Sequence, residues 1–200
     1  MKTIEITTRT IGEWMEFDKK IADKIIEKYC DINTDFSWYD DTIAEFVKEM
    51  EAKGLDINTK NVNFSGFSSQ GDGASFTCNL SEKYINEWII ANKTEFPILY
   101  EKYTSWNEIE GKIVKNSFGN HYCHDKTVNV ELDAYDDIGE EGGKEIDVLR
   151  DMIESALRGY MVSLYNTLEK EYTYLTSDEC IVDTLKVNEY EFDIDGRIRG

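Results

Sequence analysis

The stretch Ser68-Ser69-Gln70-Gly71-Asp72-Gly73-Ala74-Ser75 concentrates the groups most suited to recognition chemistry. Residues 61–71 contain no charged side chain, although 32% of the 200 residues are charged. Two glycines bracketing an aspartate permit positive φ and a close approach of backbone amides to a ligand. The hydroxyls of Ser69 and Ser75 and the amide of Gln70 add neutral hydrogen-bond groups. Such a loop suits a small polar or phosphate-bearing ligand. It equally suits a hairpin turn in which Gly71-Asp72-Gly73 only satisfies its own backbone. The chain has no GxxxxGKS or GxGxxG pattern, so a standard nucleotide loop is not expected, and no cofactor is implied.

Both histidines of the chain fall in His121-Tyr122-Cys123-His124-Asp125. Read as a strand, this segment points His121 and His124 to opposite faces, which disfavours a shared metal ion, so no metal ligand is assigned. A carboxylate from Asp72 or Asp125 beside His124 would orient the imidazole for general base work, the basis of a hydrolase alternative using His124 and Asp72. A half-buried structural histidine is the other reading. Arg158, in an apolar helical stripe of an acidic protein, either contacts a ligand anion or pairs with Glu154 at i,i+4 spacing. The candidate ligand-binding set is Ser69, Gln70, Gly71, Asp72, Gly73, Ser75, His124 and Arg158, with no catalytic residue assigned.

Periodicity predicts the elements that carry these residues. The first nine residues alternate around Ile4 and Ile6 as a strand, without the apolar run of an export signal. Thr10 and Glu13 form a capping box before one amphipathic helix reaching Tyr29, and a second helix spans 40–53 and stops at Gly54. Between them, 31–39 is a connection folding Phe36 and Trp38 onto the core. Alternation around Val62 and Phe64 and again around Ala74 and Phe76 predicts a hairpin. Ser81 caps a third helix, and Pro97 opens a fourth that holds Tyr103 and Trp106 and ends at Gly111. Strands follow at 112–117 and 121–134 around a Gly119-Asn120 turn. An acidic glycine-containing loop, 136–143, precedes the longest helix, striped by Ile146, Leu149, Ile153, Ala156, Leu157, Tyr160, Leu164 and Leu168. Thr176 and Glu179 suggest a last capping box, and 190–198 alternates around Asp195-Gly196. The expected fold is α+β, a single domain over 1–200 with a mostly antiparallel sheet and helices packed on one face.

With 41 acidic against 22 basic residues, the net charge of −19 opposes general nucleic-acid binding, which needs clustered Lys and Arg on phosphates. No segment approaches the ~20 apolar residues of a membrane helix, and a cytoplasmic location is expected. Cys30, Cys78, Cys123 and Cys180 are widely spaced with no CxxC pair, which predicts free thiols. The acidic runs 133–145 and 178–191 are solvated faces or phosphate mimics directed at a basic partner.

The segment from Phe64 to Phe76, with its SQGDGAS centre, joins 26–33, 168–179 and Asn188-Glu-Tyr-Glu-Phe192 in a pattern that spans nearly the whole chain. It resembles a largely uncharacterised family spread through bacteriophages and bacterial mobile elements, whose motif reads GFxSQGDGASF. Some members of that family are described as antitoxins. His124 also matches a family histidine. The resemblance implies a phage accessory protein that counters a host antiviral defence or controls a host factor, and it carries over no reaction; the leading expectation is a protein that acts by binding to inhibit such a defence. Its partner would be a host defence protein or a small nucleotide signal, and neutralising a partner toxin is the alternative.

Overall fold

The computed structural model of the chain describes residues 7–103, 109–119, 121–134 and 138–199. The expected first strand lies mostly outside them; Arg9–Thr10 (β1) pairs antiparallel with Glu191–Phe192 (β7). By their contacts the residues form two compact units, Met1–Tyr39 with Glu169–Gly200, and Asp40–Leu168.

In the first unit, Thr10 and Glu13 do form the capping box that opens Ile11–Phe17 (α1). The expected single helix breaks at Asp18, because this residue caps twice. Its N–H donates to the Trp14 carbonyl, closing α1, and its carboxylate accepts from the Lys20 amide, opening Lys19–Lys28 (α2). Aspartate favours such a cap over a helix interior. Ile11, Trp14, Ala22 and Ile25 meet Ile181, Val182 and Leu185 of Asp178–Val187 (α7) and the buried ring of Phe192. Buried Asn33 ties this core together: its Nδ2 donates to the Leu175 carbonyl, and its Oδ1 accepts from the Thr184 hydroxyl. Ser177, not Thr176, caps α7; its hydroxyl accepts from the Cys180 amide, whereas the Thr176 hydroxyl donates back to Tyr172. Phe36, expected in the core, is 66% exposed, while Trp38 is half-buried against Tyr39 and Tyr172.

The second unit begins with Asp40–Ala52 (α3), which buries the expected Ile43, Phe46, Val47 and Met50 and is followed by Gly54 at φ +85°. Val62–Ser65 (β2) pairs antiparallel with Gly73–Phe76 (β3) in the register Val62 to Phe76 and Ser65 to Gly73. The chain then changes partner. Asn79–Leu80 (β4) pairs with Ile109–Lys115 (β5), which pairs in turn with Val128–Ala134 (β6). The expected single sheet is therefore divided among small antiparallel sheets, because β3 leaves β2 at Phe76 and its continuation joins β5. Gly111 lies inside β5 rather than ending a helix; an added Cβ there would stand 2.8 Å from a Leu132 methyl and 2.9 Å from Ile85. Ser81 caps Glu82–Ala91 (α4), and Pro97 opens Pro97–Tyr103 (α5); the expected position of Trp106 lies outside the described residues.

The longest helix, Gly139–Leu175 (α6), already includes the glycines expected in a loop. Glycine disfavours a helix by about 1 kcal/mol each. Acidic residues in the first turn and the core contacts of Leu149, Ile153, Leu157, Met161, Leu164 and Leu168 oppose that cost. Glu145 of α6 accepts from the Ile98 and Leu99 amides at the start of α5. Glu154 joins the helix to the sheet through the Val130 amide at 2.9 Å. The fold is α+β. Among the described residues, no helix is long and apolar enough to cross a membrane.

Candidate functional site

Asp72 organises the loop between β2 and β3. Its Oδ2 accepts from the Ser69 amide at 2.6 Å and the Ser68 amide at 2.9 Å. These backbone donors, Ser69 first, hold its carboxyl below the ordinary aspartate value, with the Ser65 hydroxyl adding in the same direction. The carboxylate lies over Gly66, where an added Cβ would stand 2.7 Å from Oδ2. Behind the loop, Phe67 stacks on Phe64 and packs against Tyr165 of α6, with centroids 6.1 and 5.5 Å apart.

The two glycines of the motif play different parts. Gly71 has φ +110°, as the sequence suggests, and lies against the Cδ1–Cε1 edge of the Tyr122 ring; an added Cβ would stand 3.0 Å from Cδ1 and 3.2 Å from Cε1. Gly73 does not have positive φ. It is the first residue of β3, opposite Ser65, and needs to be glycine because the backbone and Cβ of His124 lie where its own Cβ would stand, at 2.6 and 2.5 Å. One loop thus seats the other.

That other loop joins β5 to β6 and is not a strand at 121–125. Asn116 closes its base: Nδ2 donates to the Lys126 carbonyl, and Oδ1 accepts from the Phe118 amide. The His121 and Tyr122 amides both donate to the Phe118 carbonyl, and the Thr127 amide and hydroxyl donate to the His124 carbonyl. His124 caps a short 3-10 turn, Asp125–Thr127, its Nδ1 accepting from the Lys126 amide at 3.2 Å. The neutral ring therefore carries its proton on Nε2. The strand argument against a shared metal fails with the strand, yet among the described residues no cluster of His, Cys, Asp or Glu has metal-holding geometry. The turn residue Asn120 lies outside the described residues.

Together the loops border a shallow, solvent-open cleft of about 530 Å³, lined by Gln70, Gly71, Asp72, Tyr122, His124, Asp125 and Lys126. It gathers four of the eight expected residues: Gln70, Gly71, Asp72 and His124. Ser69 gives its amide to Asp72 and does not line the cleft, and Gly73 is buried beneath His124. Ser75 is buried in β3, all four residues of which are buried. Arg158 pairs with Glu154 at 2.8 Å, the i,i+4 alternative, and does not line the cleft either. Sequence reading missed Tyr122, Asp125 and Lys126 as lining residues. The available clue was an aromatic two residues before His124, with a glycine elsewhere to receive it.

Asp72 and His124 Nδ1 are each held by backbone amides, so the arrangement offers a shaped polar surface more readily than an acid-base pair. Cys78, buried between β3 and β4 in the chain, has its thiol pushed up to about 12 by burial, which disfavours the thiolate at neutral pH.

Fold and cleft together describe an α+β protein with a polar cleft between two loops packed on each other. The chain belongs to the family described as a domain of unknown function (DUF8835), which matches residues 38–178 and so includes the whole cleft. No curated protein and no solved structure matches the chain.

Proposed function

We propose that this is an accessory protein of a bacteriophage or related mobile element that acts by binding in the host cytoplasm. In this reading it counters an antiviral defence by sequestering a small nucleotide signal in the cleft. The observation that carries the reading is the seating of Tyr122 and His124 on Gly71 and Gly73, which fixes an aromatic and polar surface before any ligand arrives; preorganisation of this kind lowers the ordering cost of binding. The volume falls in the range of small-molecule sites. The phage assignment draws on the SQGDGAS resemblance.

The test is plaque formation by a sensitive phage on a host whose defence signals through small nucleotides. Expression of the chain should restore plaques, and Tyr122→Ala should abolish the rescue at equal protein level. Failure of the wild-type chain to restore plaques on such hosts contradicts the reading.

A second reading, neutralisation of a defence protein or a partner toxin, draws on a different observation. The unit Met1–Tyr39 with Glu169–Gly200 exposes Met15, Phe17, Phe36, Tyr174, Val187 and Ile194. Large exposed apolar side chains are typical of protein interfaces. Full rescue by Tyr122→Ala would favour it.

A further inference from the structure

The charge and shape of the cleft restrict what it can hold, given that the cleft is the binding site. Tyr122 rests one side of its ring against Gly71 yet stays 47% exposed. Its backbone is fixed by the Phe118 carbonyl, and its ring sits 6.1 Å from that of His124 at 33°. A tyrosine ring held against backbone on one side and about half exposed can act as a stacking platform for a planar heterocycle. Gln70 brings an amide with both a donor and an acceptor to the same space, the complement of a nucleobase edge. The residues that line it include one lysine, Lys126, which makes no ion pair among the described residues, and two aspartates, Asp72 and Asp125; no arginine is among them.

We propose that the cleft takes a nucleoside or a cyclic nucleoside monophosphate, its base stacked on Tyr122 and its single phosphate charge met by Lys126, and that it rejects nucleoside triphosphates and cyclic dinucleotides. Polyphosphate sites gather several Lys or Arg side chains, or a metal ion, around the oxygens. Here a second or third negative charge has no cation to meet and stands beside Asp125 and Asp72. Asp72, already bonded to the Ser68 and Ser69 amides, does not turn away to relieve it. Like charges at this range repel.

Calorimetric titration of the intact chain with adenosine, guanosine, their 3′,5′-cyclic monophosphates, ATP, GTP and cyclic dinucleotides tests this. At least one nucleoside or cyclic monophosphate should bind, with triphosphates and dinucleotides weaker by about tenfold or more. Tyr122→Ala should weaken binding by about tenfold, and Tyr122→Phe, which keeps the ring on Gly71, should retain it. Lys126→Ala should weaken the cyclic monophosphate by up to about fivefold and leave the nucleoside unchanged. Triphosphates or dinucleotides binding as tightly as the cyclic monophosphate overturn this inference while leaving the cleft a nucleotide site. Absence of binding by every probe overturns the inference and the sequestration reading together.

Discussion

Asp72 directs its charge into its own loop, onto the Ser69 and Ser68 amides, and the consequence is a pH-dependent contribution to stability. Its carboxyl is held below the ordinary value when folded, so the folded state favours the ionised form more strongly than the unfolded chain does. That stability is fully present above the unfolded value of about 3.9 and is lost as pH falls through the lower folded value. Asp72→Asn keeps the size but has only a neutral oxygen to offer two amides. At pH 7 the variant should unfold at lower urea than wild type. The gap should narrow below about pH 4 and close once the wild-type carboxyl is protonated. Urea midpoints measured from neutral to acid pH provide the check, and a gap independent of pH would show that charge is not what closes the loop.

Among the elements, α6 carries the core of the unit Asp40–Leu168, and Leu157 at its middle is 1% exposed. Leu157→Ala empties a packed site and should destabilise by about 2–5 kcal/mol. Glu141→Ala, on the exposed first turn where Glu141 pairs with Lys144, should change stability by less than about 0.5 kcal/mol. Equal shifts of the denaturation midpoint would place Leu157 outside the core. The stripe containing Leu157 is legible in the sequence because helical periodicity and caps are local signals, and the Thr10 and Ser81 caps and the β2–β3 hairpin share that property. What the sequence misplaces depends on contacts made elsewhere. Asp18 breaks a periodic helix by capping both halves. The glycines at 139–143 enter a helix that its later turns stabilise, and Asn116 curls 121–125 into a loop where alternation suggests a strand. The site divides along the same line. Gln70, Gly71, Asp72 and His124 are marked by their types, whereas Tyr122 and Lys126 become lining residues only when Gly71 and Gly73 receive the second loop. Gly73 itself is legible as a special position but not for its reason, which is steric and not a matter of φ.

For the whole molecule, the net charge of −19 sets two effects of opposite sign against each other. Most of the ion pairs among the described residues are exposed, such as Lys83–Glu87 and Lys144–Glu140, and pairs of this kind contribute about 0–1 kcal/mol each, a contribution that salt weakens. Self-repulsion among the surplus carboxylates destabilises the compact state, and salt weakens that as well, with a Debye length of about 10 Å at 0.1 M. Repulsion should dominate, because 41 acidic side chains face only 22 basic ones, so carboxylates outnumber the cations that could offset them. The melting temperature at pH 7 should therefore rise by a few degrees as NaCl increases from about 20 mM to about 300 mM. Lowering the pH towards the isoelectric point near 4.4 removes the surplus, so the same salt increment should produce a smaller rise at about pH 5.5 than at pH 7. A melting temperature that falls with salt at pH 7 would mean that the local pairs outweigh the global repulsion.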